Sequence, residues 1–326
     1  MKKLTLALSA IVAAFSASAK ADVSVSGSTG AAYVSNMASS NNTDLIVGSA
    51  ISFSLSTTTA SGMGISAGMG ISLDPDSDAG HTSNATSINP AVTGGNKVTF
   101  TTGGATIVVG DIELADTPGS IGGVVGGIVG DNNGSDTNVG SGFIDDDGAG
   151  VSLSTAVGSA TLNVGYITND GGNNHAVINS NASGADALTA ASISVPMGMY
   201  TISVGVADSD TGESSSGATV SAAVGGGTLA VGYSNQTMIA TATDITTAGD
   251  TTVLGATYKM SLDADTSIAL GYQNAKDADN DSTTRVDVSI NRSLGGGASV
   301  YLDMRNLAGN ATTKGTAIGF GTSVSF

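Results

Sequence analysis

The chain of 326 residues contains no cysteine and no tryptophan, and only 11% of its residues are charged. Without cysteine, disulfides and thiolate metal sites are excluded. The two histidines, His81 and His175, have no Cys or Glu at metal-ligand spacing, so zinc chemistry is not indicated. Among so many serines no Ser-His-Asp order stands out. The residues therefore point to no enzyme. Positive charge is scarce, with 10 basic residues against 27 acidic ones and a net charge of −17. Such a surface does not attract nucleic-acid phosphates and favours cations. Long apolar runs are missing as well. Beyond the amino-terminal stretch none approaches the ~20 residues that a spanning helix needs, so a membrane form of this chain must be a closed barrel.

The amino-terminal stretch reads as a secretory leader. Met1-Lys2-Lys3 is basic, Leu4 to Phe15 is apolar apart from Thr5 and Ser9, and Ala17-Ser18-Ala19-Lys20-Ala21 is small. That order is a signal peptide, too short for a spanning helix. Cleavage fits after Ala19 or Ala21, and Ala21 puts small residues at both required positions, giving 1–21 as leader and 22–326 as the barrel domain. Loss of Lys2, Lys3 and Lys20 takes the net charge from −17 to −20.

The chain is rich in glycine, 47 residues, and in strict alternation. Val23, Val25, Gly27, Thr29, Ala31 and Tyr33 form one face, opposed by Ser24, Ser26, Ser28, Gly30 and Ala32. Met63, Ile65, Ala67, Met69, Ile71 and Leu73 alternate with Gly64, Ser66, Gly68, Gly70 and Ser72. A period of two is a strand signature, and its persistence argues against disorder. The small face could not fill the interior of a soluble sandwich. In a membrane barrel the bulky face meets lipid and the small polar face lines water.

Sixteen such segments are expected, near 23–35, 44–56, 62–74, 96–102, 105–114, 148–156, 159–169, 187–196, 199–208, 216–224, 228–236, 250–260, 264–274, 283–293, 298–306 and 314–326. Short connections alternate with long ones, matching short periplasmic turns and long external loops. Tyr33, Tyr166, Tyr233 and Tyr272 fall near one rim; Phe53, Phe100, Tyr200, Tyr258 and Phe326 fall near the other. Interfacial aromatic girdles are laid out in this way. The fold class is therefore all-β, a transmembrane 16-stranded antiparallel β-barrel.

The longest connection, 115–147, carries Asp116, Asp131, Asp136, Asp145, Asp146 and Asp147 and no Lys or Arg. Before it stand Gly104-Ala-Thr-Ile-Val-Val-Gly110-Asp111, and within it Asp116-Thr-Pro118. With these residues the chain resembles the general porins of Gram-negative bacteria, particularly those of alphaproteobacteria. The strand count, leader, loop lengths and terminal Phe326 extend the resemblance over nearly the whole chain. It implies a water-filled homotrimeric channel in the outer membrane, a terminal Phe read by the insertion machinery, and a long third loop (115–147) folded inward as a constriction. Asp111 stands where that family commonly places a lumen-facing Arg.

By alternation Val108, Gly110 and Ile112 are assigned to the outer face, and Asp111 and Glu113 to the lumen. Lumen-facing bases are expected at Lys97, Lys259, Arg285 and Arg305, with Asp287 and Asp303 beside two of them. Inward-facing charge tunes selectivity, so the channel is expected to prefer cations and to pass small hydrophilic solutes, with outer-membrane lipid around it. Gly122-Gly-Val-Val-Gly-Gly127 lacks the Gly-Lys-Ser/Thr of a phosphate loop and reads as part of the inward loop. Asp74, Asp76 and Asp78, and Asp277, Asp279 and Asp281, resemble the starts of calcium loops without the bidentate Glu. Solvated loop tips are the first account of them, and weak calcium binding the second. No cofactor is required. Two other functions stay open: a substrate-specific channel in the same barrel, and a secreted Gly/Ser/Asp-rich β-solenoid adhesin. The adhesin should show a fixed internal repeat, and none is detected.

Overall fold

A computed structural model describes residues 22–36, 43–73, 90–113, 121, 124, 147–168, 187–210, 214–238, 249–277, 279, 281–309 and 315–326. Sixteen strands run in sequence. They are β1 (Asp22–Asn36), β2 (Thr43–Thr58), β3 (Gly64–Leu73), β4 (Pro90–Thr102), β5 (Ala105–Glu113), β6 (Asp147–Val157), β7 (Ala160–Ile167) and β8 (Leu188–Met197). They continue as β9 (Tyr200–Ser209), β10 (Ser214–Val224), β11 (Gly227–Met238), β12 (Gly249–Ser261), β13 (Thr266–Lys276), β14 (Ser282–Gly295), β15 (Ala298–Gly309) and β16 (Gly315–Ser325). Each pairs antiparallel with its chain neighbours, and β1 pairs with β16 to close the ring. The expected leader, 1–21, lies outside the described residues.

The seam between β1 and β16 runs from Asn36↔Ala317 to Ser28↔Ser325. Phe326 then extends it by one rung: its N–H donates to the Gly27 carbonyl at 3.0 Å and its carbonyl accepts from the Gly27 N–H at 3.1 Å. The ring of Phe326 lies over Gly27, where a Cβ would come within 2.5 Å of it. Closure leaves no strand edge to recruit another chain.

The tight connections lie at one end of the barrel. Gly103-Gly104 and Gly225-Gly226 hold positive φ at both central positions (50° and 91°, 57° and 83°). That is the two-residue turn whose twist matches the flanking strands, and glycine adopts it without strain. The turn from β12 to β13 uses a side chain instead. Asp263 Oδ1 accepts from the N–H groups of Asp265 and Thr266 at 2.8 and 2.7 Å. Its Oδ2 accepts from Thr266 Oγ1 at 3.1 Å and from Arg292 Nη1 at 3.3 Å. The Asp265 amide first, then the Thr266 hydroxyl, hold this exposed carboxyl below its ordinary range.

The bulky apolar side chains point outward. Val23, Val25, Ile51, Phe53, Leu55, Val204, Val206, Val231, Leu254, Leu302 and Phe320 are all exposed on the outer wall. Tyr33, Tyr166, Tyr233 and Tyr272 are exposed on that wall near the long-loop end, as the girdle pattern requires. Among the described residues there is no central core. Two small apolar clusters sit on the inner wall instead, Ile112 with Ile167, Leu188 and Ala207, and Val253 with Ala275 and Leu307.

Two expectations need correction. β4 begins at Pro90, not near 96; the Gly94-Gly95 pair read as a loop is carried within the strand, beside a register shift at Gly68/Gly70 on β3. Glycine in a strand interior often marks such a bulge. The outer-face assignment of Val108, Gly110 and Ile112 is also reversed. Ile112 is 2% exposed in the inner cluster with Val108 packed against it, whereas Val109 is 44% exposed on the outside.

Candidate functional site

Small side chains keep the inner wall open. Register sets Ser194 opposite Ser203 and Ser299 opposite Ser323, and their hydroxyls meet at 2.6 and 2.8 Å. Asn163 donates to Ser192 Oγ at 3.3 Å across β7 and β8. These rungs satisfy polar groups locally and fill little space. A sixteen-stranded ring whose inner side chains are this small encloses water.

Among the described residues the buried charges lie on β14 and β15. The sequence there reads Arg285-Val-Asp287 and Asp303-Met-Arg305, so each strand puts one acid and one base on the same face. Val286 and Leu302 are exposed on the outer wall, which makes the four charged residues inner-wall residues. The register pairs Asp287 with Arg305, Ser289 with Asp303 and Gln273 with Arg285. Arg285 grips Asp287 Oδ2 twice, through Nε at 2.8 Å and Nη2 at 2.6 Å. Arg305 Nε lies 3.5 Å from Asp287 Oδ1. Asp303 accepts from the Ser289 hydroxyl. Asp287 is 0% exposed, and Arg285, Asp303 and Arg305 are buried with it. Buried carboxylates and guanidiniums persist only when paired in this way, and two of each leave the cluster neutral.

Burial on the inner wall of an open ring requires something inside the ring to cover it. Two described residues of the 115–147 connection lie there. The Val124 N–H donates to Asp287 Oδ2 at 3.1 Å. The Ile121 carbonyl lies against Gly255 of β12, so closely that a Cβ at that position would overlap it. Both contacts fall on the wall opposite β5, the strand from which the connection departs: β14 is seven strands from β5 by the shorter way around the ring.

The other expected site residues fall in three groups. Lys97 and Lys259 are exposed; their rows, Gly68–Lys97–Gly110 and Thr228–Lys259–Ala269, belong to the inner wall. Neither joins the cluster. Asp111, Glu113 and Asp147 lie on described strands, with Asp111 opposite Ala149 and Glu113 opposite Asp147, but their side chains are outside the description. Position 111 stands in the row order of Val109 and Val151, both exposed on the outer wall. Asp116, Asp131, Asp136, Asp145, Asp146, Asp74, Asp76 and Asp78 lie outside the described residues. Asp277 Oδ1 accepts from the N–H groups of Asp279 and Asp281 at 3.1 and 2.8 Å, which is turn capping. Among the described residues no three acidic or histidine side chains converge as a metal site would require.

Sequence reasoning missed Gly255, Gln273 and the inner apolar clusters. The mirrored Arg-x-Asp and Asp-x-Arg of β14 and β15 did signal the cluster, because a period of two on paired strands brings all four to one face.

A model of the Gram-negative porin family matches residues 7–312. No curated protein matches the chain in sequence. Solved structures that resemble it include Salmonella typhi OmpF in complex with daunomycin, at 13% identity and a TM-score of 0.68, covering 93% of this chain and 97% of that one. The anion-selective porin from Comamonas acidovorans aligns at 14% identity and a TM-score of 0.62, over 94% and 100% of the two chains. OmpT of Vibrio cholerae in its trimer form aligns at 12% and 0.65, over 94% and 99%.

Proposed function

From the premise that the chain belongs to the Gram-negative porin family and forms a water-filled diffusion channel in the outer membrane, we propose that the channel passes small hydrophilic solutes and prefers cations. The observation that carries the preference is the neutral cluster on β14 and β15. Two of the few basic side chains on the inner wall, Arg285 and Arg305, are buried beside Asp287, in a chain with 27 acidic and 10 basic residues. With those two guanidiniums neutralised, the exposed bases on the described inner wall are Lys97 and Lys259, and the reading is that the chain-wide acidic excess outweighs them. The barrel alone does not decide this, since the similar Comamonas acidovorans porin is named anion-selective.

The working form is a homotrimer. The trimer form of the similar Vibrio cholerae OmpT supports this, as do the small outward positions Ala31 and Ala67, which let flat walls approach. The channel needs no cofactor, and residues 1–21 serve as a leader removed on export. Reconstitution into planar bilayers across a KCl gradient tests the reading. A cation-favouring zero-current potential in dilute, chelated salt is expected, and an anion-favouring one would sink the preference.

A further inference from the structure

We infer that Gly255 and Asp287 are positioning residues of the channel, which seat residues 121 and 124 on the inner wall and so fix how much of the lumen stays open. The inference rests on the channel reading. Gly255 lies in the interior of β12, where glycine weakens a strand and often marks a close backbone approach. Here the approach is visible: the Ile121 carbonyl occupies the space that any side chain at 255 would need. The contact is backbone to backbone, so it depends on the wall residue being glycine and not on which residue stands at 121.

Asp287 supplies the second point. Its Oδ2 accepts from the Val124 N–H at 3.1 Å while Arg285 holds the same oxygen at 2.6 and 2.8 Å. A carboxylate fixed by a guanidinium presents its acceptor in one place, and a hydrogen bond to a charged group is among the stronger ones. The two anchors stand on β12 and β14. Two strand spacings amount to about 10 Å, a distance that three residues can bridge. Moving either anchor shifts the covering residues relative to the wall and changes the free cross-section.

The test is single-channel conductance of the refolded protein, with heat-modifiable mobility on gels as the separate readout of barrel assembly. Gly255→Leu should assemble normally and change the conductance about twofold or more, with Gly255→Ala shifting it less in the same direction. Gly48→Ala, where no atom lies within 4 Å of the added Cβ, should leave it unchanged. Assembled Gly255→Leu channels of wild-type conductance would overturn the inference. Should that variant fail to assemble, a cysteine pair decides, because the chain has no cysteine of its own. Ile121→Cys with Thr257→Cys, on the inner face of β12 next to Gly255 and outside the charged cluster, should cross-link through a short bis-maleimide without altering conductance, and a pair that does not join, or that alters conductance several-fold on joining, refutes the seat. A wild type that conducts no ions would instead refute the channel reading, and the cross-link would still report on the seat.

Discussion

Asp287→Asn perturbs the charged cluster at its centre. In the wild type two carboxylates and two guanidiniums cancel on the inner wall; the variant keeps an oxygen acceptor for the Val124 N–H but leaves the cluster at +1. An ion passing about 8 Å away, at an effective dielectric of about 40, feels a change of about 1 kcal/mol before screening. At 0.1 M salt the Debye length is about 10 Å and roughly half of that survives. Half a kcal/mol is about twofold for each ion, opposite in sign for cations and anions, so the cation-to-anion permeability ratio should fall about fivefold. At 1 M, with a Debye length of about 3 Å, the change should nearly vanish. The assay is the zero-current potential across a fixed KCl ratio at the two ionic strengths. Adding Arg305→Gln to Asp287→Asn restores neutrality and should restore the ratio. Leaving two guanidiniums without their shared carboxylate also weakens the fold, by about 3–5 kcal/mol when such a pair is fully buried, so assembled channels must be selected before measurement. An unchanged potential at low salt, or a change that persists at 1 M, would refute the electrostatic reasoning.

Two further perturbations address the rim and the seam. Because the folded state depresses the Asp263 carboxyl, its stabilising contribution is complete above the unfolded value of about 3.9 and is lost as pH falls through the folded value; urea unfolding should therefore show wild type and Asp263→Ala differing at neutral pH and converging in acid. A constant gap between them down to the lowest pH would count against the turn-capping role. Deletion of Phe326 removes the last rung with Gly27 and the ring that covers it, so the yield of heat-modifiable, membrane-inserted protein should drop, and a wild-type yield would contradict that.

Much of this architecture was legible from alternation alone, because the two faces of each strand meet different solvents. Val23 to Tyr33 against Ser24 to Ala32 needs no tertiary knowledge to interpret. The turns were legible for a related reason, since paired glycines such as Gly225-Gly226 sit where φ must be positive. Legibility failed where a strand meets protein on its inner side. Alternation assigned Ile112 to the outer face with Val108 and Gly110, yet it is buried on the inner wall with Ile167 and Leu188; β5 carries apolar residues on both faces, so a period of two separates the faces without saying which is which. Gly255 was equally silent, since one glycine among 47 does not announce that another backbone rests on it. The charged cluster lay between these cases. Its residues and their common face were readable, whereas their burial and their contact with Val124 depend on what crosses the ring.

The serine and glycine lining of the inner wall bears on how this chain can change over time. In a packed core each substitution must answer to the volume of its neighbours, and a methylene too many or too few is felt at once. Here the circumference is set by counting strands, sixteen at about 4.8 Å each along the hydrogen-bonding direction, and inner side chains project into water without interlocking. A lineage can therefore exchange serine for threonine, aspartate or lysine along most of this surface and alter what passes while the ring keeps its width. The exceptions are the few places where another part of the chain leans on the wall, above all Gly255. Drift should be rapid over most of the lining and arrested at those seats.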